Sequence, residues 1–306
     1  MRIKLKLLVG ICSILLILSG CSLSSNDQAE KVKIATLSTS ESAIMGNMVK
    51  LMIEHYTDED VEMINNLGSS VVAHQAMVNG DANISASRYT GTDLTGALGQ
   101  EPIKDPTEAM QKVQTLFKKE YEQTFFDSYG FANTYAFMVT KETAEKYNLK
   151  KVSDLRKVAG EMEAGVDNSW MNRPGDGYKS FVKTYGFDFS KVYPMQIGLV
   201  YDAVEAGKMD IVLGYTTDGR IASYDLVVLE DDLHFFPPYD CSPLATDALL
   251  DNKPEVKKVL QKLVGKVSTD QMQKLNFEAD NNLLEPANVA KKFLEKNNYF
   301  DEEGGE

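Results

Sequence analysis

The sequence predicts an α/β protein with two similar lobes that face one cleft. Helical and strand patterns alternate along the chain, as in mostly parallel sheets covered by helices. The pattern of segment 75–93 (QAMVNGDANISASRYTGTD) returns at 198–220 (GLVYDAVEAGKMDIVLGYTTDGR). In both segments a helix ends at a glycine, and a buried strand follows that ends in Tyr-Thr. Ligands of open α/β sheets bind beyond the carboxyl ends of strands, so two equivalent strand ends indicate a shared cleft.

The chain begins with the pattern of an export signal. Three cations are followed by an apolar run that is too short to span a bilayer. The tetrapeptide LSGC at 18–21 resembles a bacterial lipobox, in which cleavage leaves a lipidated Cys21. An ordinary signal peptide that contains a cysteine is the alternative. We predict a signal peptide over 1–20 and a polar, flexible tether over 21–30.

Charge and cysteine content exclude some classes of protein. The formal net charge is −13, and removal of residues 1–20 makes it about −16. This acidity argues against nucleic-acid binding, which needs a basic surface. It fits cationic solutes and also simple solubility. After processing, Cys241 is the one cysteine besides Cys21, so no disulfide framework is expected, and a buried thiol is favoured over a nucleophile.

Hydrophobic periodicity predicts the elements in order. In the first half we expect strands and helices at 32–37 (strand), from Ser40 or Ser42 (helix), 61–64 (strand), from 68–70 (helix), 84–89 (strand), 106–122 (amphipathic helix), 125–129 and 134–139 (strands). In the second half we expect short helices within 141–148 and 153–160, a strand at 163–166, a turn at 172–177, a helix at 178–185, strands at 211–213 and 226–229, and helices from Pro254.

These elements predict how the lobes are connected. Lobe one is expected to comprise 31–136 and a return over 238–306, and lobe two is the inserted 137–237. No long Pro/Gly/Ser linker separates them. Two crossing strands would then act as a hinge between closing lobes.

Motifs of catalysis and metal binding are mostly missing from the sequence. It has no GxSxG, HExxH, CxxC or GxGxxG pattern. His55, His74 and His234 are far apart and lack the spacing of zinc ligands. Carboxylates are plentiful, but none forms a pair that can be singled out. An enzyme is therefore the weaker class, and we predict no cofactor and no metal.

Four tyrosines stand at strand ends and at the predicted crossings between lobes. Tyr89 and Tyr215 end the two equivalent strands, whereas Tyr135 and Tyr239 lie where the chain passes between lobes. Taken singly, each fits a half-buried packing residue. As a set at these points, they favour a common cleft.

Five segments in this order resemble the binding lipoproteins of glycine betaine/carnitine/choline ABC importers. They are RYTGTD, GFANTYAFMV, NRPGDGY, YDAVEAGKMDIVLGYTTDGRI and FFPPYD, and the resemblance covers essentially the whole mature chain. It implies a type II periplasmic-binding-protein fold with a hinge and an interlobe cleft. It also implies that Tyr89, Tyr135, Tyr215 and Tyr239 form a cage for a trimethylammonium group.

The resemblance assigns two further residues. It implies that Arg173 reaches the carboxylate of a zwitterionic ligand, for which a guanidinium is suited. It implies that Thr92 distinguishes ligands, because a choline-restricted relative would carry an acid there. Where the family commonly has Thr-Glu-x-Gln, this chain has SESA at 40–43, with Ala43 at the position of that glutamine.

The resemblance therefore implies a lipid-anchored receptor on the outer face of a Gram-positive cell membrane. It would bind a quaternary ammonium compatible solute for osmoprotection and deliver it to an ABC permease with a separate ATPase. Alternatives are a receptor of the same fold for another trimethylammonium compound such as ergothioneine, a surface hydrolase or transferase, and a lipoprotein for sensing or adhesion.

Overall fold

The computed structural model describes residues 31–173 and 175–301, which contain ten strands in two sheets. The predicted signal peptide, Cys21 and tether lie outside the described residues. The strands are β1 (Val32–Leu37), β2 (Val61–Leu67), β3 (Ile84–Tyr89), β4 (Gln123–Phe125), β5 (Tyr135–Thr140), β6 (Glu163–Asp167), β7 (Lys191–Met195), β8 (Ile211–Tyr215), β9 (Leu226–Val228) and β10 (Cys241–Thr246).

Helices cover the sheets. The α-helices are α1 (Ser40–Tyr56), α2 (Ser70–Asn79), α3 (Thr90–Thr95), α4 (Pro106–Tyr121), α5 (Lys141–Tyr147), α6 (Asn168–Met171), α7 (Tyr178–Tyr185), α8 (Ile197–Glu205), α9 (Arg220–Ser223), α10 (Asp247–Asn252), α11 (Pro254–Lys262), α12 (Thr269–Asp280) and α13 (Pro286–Lys296). Two 3₁₀-helices, Val152–Lys157 and Ala159–Glu161, lie in the region where short helices were expected.

The two sheets have the same plan, which confirms the two-lobed fold. One sheet has the strand order β2-β1-β3-β10-β4 and the other the order β7-β6-β8-β5-β9. The equivalent strands β3 and β8 are therefore the central strands of their sheets. The helices before them are followed by Gly80 and Gly207, with φ of 78° and 65°, a left-handed conformation that glycine adopts without strain.

In each described sheet four of the five strands run in the same direction, as the expectation of mostly parallel sheets requires, and one strand runs against them. Within each sheet two strand pairs are parallel and two are antiparallel, as seen in the described residues. The antiparallel strand is β10 in one sheet and β5 in the other. Each of these strands follows a crossing from the opposite lobe, so it enters its sheet against the direction of the central strand.

The two crossings run side by side. Ala132 and Asp240 form an antiparallel bridge, and the amide of Asn133 donates to the carbonyl of Tyr239 at 3.1 Å. Lobe boundaries at 136/137 and 237/238 stay a prediction; β5 of the second sheet begins at Tyr135, two residues before the first boundary, and β10 of the first sheet begins at Cys241, after the second. Cys241 is fully buried where the second crossing enters β10, as expected for a structural thiol.

Several local predictions are corrected by the structure. The strand expected at 125–129 is β4, which begins two residues earlier and ends at Phe125, because α4 is followed by a left-handed Glu122 and the chain extends at once. Neither Ser40 nor Ser42 caps α1; the side chain of Thr39 does. Strands β7 and β10 were not predicted. The first is an exposed edge without apolar alternation, and the second, CSPLAT, contains a proline.

Candidate functional site

A cavity of about 310 Å³ lies between the two sheets and collects every ligand-binding residue predicted from the sequence. Its lining comprises Leu37, Thr39, Ser70, Tyr89, Thr92, Asn133, Tyr135, Arg173, Tyr215 and Tyr239. Three larger pockets, of about 500, 680 and 900 Å³, contain none of the predicted residues. The cavity combines four converging tyrosine rings with a few polar groups, the usual character of a small-molecule site.

Strand register explains how four tyrosines that are distant in sequence meet. Tyr135 at the start of β5 is paired directly with Tyr215 at the end of β8. Tyr89 at the end of β3 is paired with Cys241, and Tyr239 lies two residues before that cysteine. Side chains two residues apart in extended chain point to the same side. Each sheet therefore contributes two tyrosines from neighbouring antiparallel strands.

Tyr135 and Tyr215, which lie on neighbouring strands of the second sheet, form a compact pair. Their ring centres are 4.9 Å apart with a tilt of 35°, and their hydroxyl oxygens are 3.3 Å apart. The hydroxyl of Tyr135 donates to Oδ2 of Asp167 at 2.6 Å. The backbone amide of Tyr215 donates to the hydroxyl of Tyr201 at 2.6 Å, which fixes the end of β8. Tyr135 is buried, and Tyr215 is half-buried at the cavity wall.

The cationic guanidinium of Arg173 lies against this pair of tyrosines. Its guanidinium donates to the hydroxyl of Tyr135 at 3.2 Å and to Oδ2 of Asp176 at 3.3 Å, and its central carbon lies 5.0 Å from the ring centre of Tyr135. Burial tends to lower the pKa of Arg173, but Tyr135 and Asp176 more than offset this and raise it. The side chain is 31% exposed, so it stays cationic and accessible from the cavity.

Tyr89 is held from lobe one by a buried glutamate. Its hydroxyl donates to Oε1 of Glu41 at 2.6 Å. Burial, followed by the charge of Glu41, raises the pKa of Tyr89 well above its usual value. Burial likewise raises the pKa of Tyr135 and of Tyr239. The three phenols therefore keep their protons at neutral pH, and the rings of Tyr89 and Tyr135 are fixed by the bonds that their hydroxyls donate.

The fourth ring is placed by a close approach of two backbones. The amide of Gly91 donates to the carbonyl of Pro238 at 2.9 Å. A Cβ atom at Gly91 would lie 2.6 Å from that carbonyl oxygen and 3.2 Å from the ring of Tyr239. Only glycine fits here without displacing Tyr239.

A buried ion pair supports the turn that carries Tyr89 and Thr92. Nε of Arg88 donates to Oδ2 of Asp93 at 2.9 Å, a second guanidinium nitrogen donates to Oδ1, and both side chains are almost fully buried. A third nitrogen of Arg88 donates to the carbonyl of Ser70 at 3.2 Å. The bidentate pair thus connects the end of β3 with α3 and with the start of α2.

The six predicted side chains are brought together, but their supporting partners were missed. The unpredicted residues are Glu41, Arg88, Asp93, Asn133, Asp167 and Asp176. Arg88 and Asp93 belong to the segment RYTGTD and Asp176 to NRPGDGY, so the segments that carry the resemblance already contained these three residues. Asn133 belongs to GFANTYAFMV and Glu41 to SESA at 40–43, whereas Asp167 lies outside the quoted segments.

The described residues give no indication of a metal centre or of a membrane-spanning helix. No group of three or more His, Cys, Asp or Glu residues among them is arranged to hold a metal ion. No helix in that same part of the chain is long and apolar enough to cross a bilayer.

The paired sheets and the aromatic cleft define a class: the two-lobed substrate-binding proteins of the type II periplasmic fold. Residues 30–296 match the substrate binding domain of the ABC-type glycine betaine transport system, and the chain belongs to this family. A crystal structure of a glycine betaine/carnitine/choline ABC transporter protein has a TM-score of 0.87 and 60% identity, covering 89% of this chain and all of that one.

Two relatives show the range of the family. The carnitine transport binding protein OpuCC of Listeria monocytogenes is 57% identical over 288 residues, which is 94% of each chain. The ergothioneine transport permease/ergothioneine binding protein EgtU of Helicobacter pylori is 30% identical over 263 residues, covering 86% of this chain and 47% of that protein.

Proposed function

We propose that the protein binds a quaternary ammonium compatible solute in the aromatic cavity and delivers it to an ABC importer. Glycine betaine, carnitine and choline are the proposed ligands, and the carboxylated ligands are preferred. The observation that carries the proposal is the convergence of Tyr89, Tyr135, Tyr215 and Tyr239, with Arg173, on one cavity of about 310 Å³.

The ring arrangement suits a trimethylammonium group. This cation has no N–H, so it cannot be gripped by directional hydrogen bonds. The negative faces of aromatic rings attract it, at roughly 0.5–2 kcal/mol for each contact as desolvation increases. Four rings supply an affinity in the micromolar range, about −8 kcal/mol, after the costs of ordering.

Two side chains are placed to recognise the part of the ligand beyond its trimethylammonium group. Arg173 offers a guanidinium to a carboxylate, and Thr92 lines the same cavity with a neutral hydroxyl. An acid at the position of Thr92 would repel a carboxylate, whereas threonine permits it. The 57% identity to a carnitine transport binding protein supports the same preference.

Calorimetric titration tests this function directly. The purified full chain, in a non-ionic detergent, is titrated with choline, carnitine, glycine betaine and ergothioneine. We expect saturable one-to-one binding of at least one of the first three. Alanine at Tyr89, Tyr135, Tyr215 or Tyr239 weakens it, whereas alanine at the exposed Tyr193 does not. Unchanged affinity in all four cage variants would refute the cage.

Ergothioneine is the second candidate, favoured by the similarity to the ergothioneine-binding relative. It also carries a trimethylammonium group and a carboxylate, but it adds a bulky ring. Binding of ergothioneine alone would keep the cage and replace the ligand assignment. Conversion of any ligand during the titration would instead support a surface enzyme, and absence of all binding would favour a role in sensing or adhesion.

Anchoring and delivery are part of the same proposal. Cys21 is proposed to carry lipid after cleavage of 1–20 and to hold the protein on the outer face of a Gram-positive membrane. The partner is proposed to be a permease with its own ATPase, and binding alone requires no cofactor or catalytic step. Fractionation of cells tests the anchor: a Cys21→Ser variant is expected in the medium, and retention in the membrane would refute lipidation at this residue.

A further inference from the structure

We propose that Glu41 is the residue that selects for a positively charged ligand headgroup, acting through Tyr89. This inference rests on the proposed function, since it concerns the same cavity. Glu41 does not line the cavity; it lies directly behind one of its aromatic walls. Its hydrogen bonds, burial and charge environment carry the argument.

Three hydrogen-bond donors meet the carboxylate oxygens of Glu41. Oε1 accepts from the hydroxyl of Tyr89 at 2.6 Å and from Nδ2 of Asn133 at 3.1 Å, and Oε2 accepts from Nδ2 of Asn276 at 3.3 Å. Both oxygens therefore act as acceptors, the role of a carboxylate that carries negative charge. Glu41 also lies in the first turn of the 17-residue α1, where the helix dipole favours negative charge.

This negative charge is buried without a countercharge. Glu41 is only 4% exposed. Among the described residues, no lysine, arginine or histidine forms an ion pair with it, whereas the buried Asp93 has Arg88. Buried charges are normally paired, because their removal from water is costly. A cation held against Tyr89 would supply the missing charge.

The second buried carboxylate behind the cage is different. Asp167 accepts from the hydroxyl of Tyr135, and that hydroxyl also accepts from Arg173. The charge of Arg173 thus lies close to Asp167 and offsets its field in the cavity. Glu41 has no such neighbouring cation in the described part of the chain, so the lobe-one side of the cavity keeps a negative potential. A zwitterion can then place its ammonium towards Tyr89 and its carboxylate towards Arg173.

The magnitude follows from Coulomb's law. Two unit charges about 8 Å apart, at an effective dielectric constant of about 20, change a binding constant roughly thirtyfold. Burial also limits screening by salt. A loss of this size is large enough to measure for every trimethylammonium ligand.

The test replaces Glu41 by glutamine, which keeps the size and removes the charge. The Oδ1 atoms of Asn133 and Asn276 are buried without partners, so their amides can turn to accept from the new Nε2 group. The fold is therefore expected to survive, with a melting temperature close to that of the wild type. Ser42→Ala serves as the control, because it removes a buried hydroxyl next to Glu41 without changing charge.

We expect Glu41→Gln in the full chain to weaken choline, glycine betaine and carnitine about thirtyfold each. In the neutral analogue 3,3-dimethyl-1-butanol, a tert-butyl group replaces trimethylammonium. This analogue should bind the wild type and Glu41→Gln with the same affinity. Ser42→Ala should leave the ligand affinities within threefold. A choline loss below threefold, or an equal loss for the neutral analogue, would overturn the proposal.

A second matched pair covers the case in which Glu41→Gln fails to fold. Glu41→Asp and Glu41→Asn have the same shape and differ only in charge, so at least a tenfold tighter binding of choline by the aspartate variant is expected. Equal affinities in this pair would overturn the proposal. Absence of ligand binding in the wild type itself would instead refute the proposed function and is distinguishable from either result.

Discussion

Arg173 provides the strongest test of how the cavity reads a ligand, because its removal should separate ligands by their carboxylate. The guanidinium lies in the cavity wall, hydrogen-bonded to Tyr135 and Asp176 and 31% exposed. We expect Arg173→Ala to weaken glycine betaine and carnitine strongly. Choline has no carboxylate and should not be weakened.

The magnitude follows from the charge and exposure of the side chain. A hydrogen bond that involves a charged group contributes about 1.5–3 kcal/mol. Because Arg173 is partly exposed, we expect the lower part of this range, which corresponds to roughly tenfold to thirtyfold weaker binding of the carboxylated ligands. For choline, the loss of a neighbouring positive charge relieves repulsion, so its affinity should stay within about threefold or increase.

Calorimetry with the three ligands measures this difference, and thermal melting verifies the fold. Arg173→Lys is the control that retains the charge but loses the planar fork, and it should lie between the wild type and Arg173→Ala for the carboxylated ligands. An equal loss for choline and glycine betaine would refute the reasoning. Arg173 would then only support the ring of Tyr135.

Three further outcomes follow from the contacts around the cavity. Gly91→Ala places a Cβ atom 2.6 Å from a backbone oxygen and should displace Tyr239, with about tenfold weaker ligand binding by calorimetry and a cost of about 1–3 kcal/mol in stability. Arg88→Met leaves its carboxylate partner buried and unpaired, so urea unfolding should show a loss of about 3–5 kcal/mol, against less than about 1 kcal/mol for the exposed Lys118→Met. Burial, and then the charge of Arg88, lower the pKa of His74 below 6.5. The unfolded chain then binds the proton more readily, so stability is retained above about pH 6.5 and falls as the pH drops below it, and His74→Leu should reduce this dependence in thermal melts. A pH dependence identical to that of the wild type would show that other groups are responsible.

The sequence was sufficient to predict where the cavity residues lie. The positions of Tyr89 and Tyr215 were predictable because a glycine that ends a helix, a short apolar strand and a Tyr-Thr pair form a local pattern. Placement at the end of a central strand then follows from the general geometry of α/β sheets. The assignment of Arg173 and Thr92 depended instead on resemblance, since a turn arginine and a helix threonine have no distinctive pattern.

Two strands and the hydrogen-bond partners that support the cavity tyrosines were beyond sequence reasoning. Strand β10 carries a proline and small residues, and β7 is exposed, so neither has the periodicity that identifies a strand. The partners of the cage hydroxyls lie 48 residues from Tyr89 and 32 residues from Tyr135. Such contacts depend on the tertiary packing of α1 and β6 against the cavity, and no local spacing indicates them.

The duplicated sheet order explains why the four cavity tyrosines come in two pairs. Strands β3 and β8 are equivalent, as are β10 and β5, so Tyr89 corresponds to Tyr215, and Tyr239 lies two residues before Cys241, the counterpart of Tyr135. In each pair, one tyrosine ends a central strand. The other lies where the chain passes from one sheet to the other: Tyr135 begins β5, and Tyr239 lies two residues before β10. Because each sheet supplies half of the rings, a cation bound in the proposed cage would contact all four rings only when both halves face it. A change in the angle between the lobes would therefore alter affinity without altering any side chain.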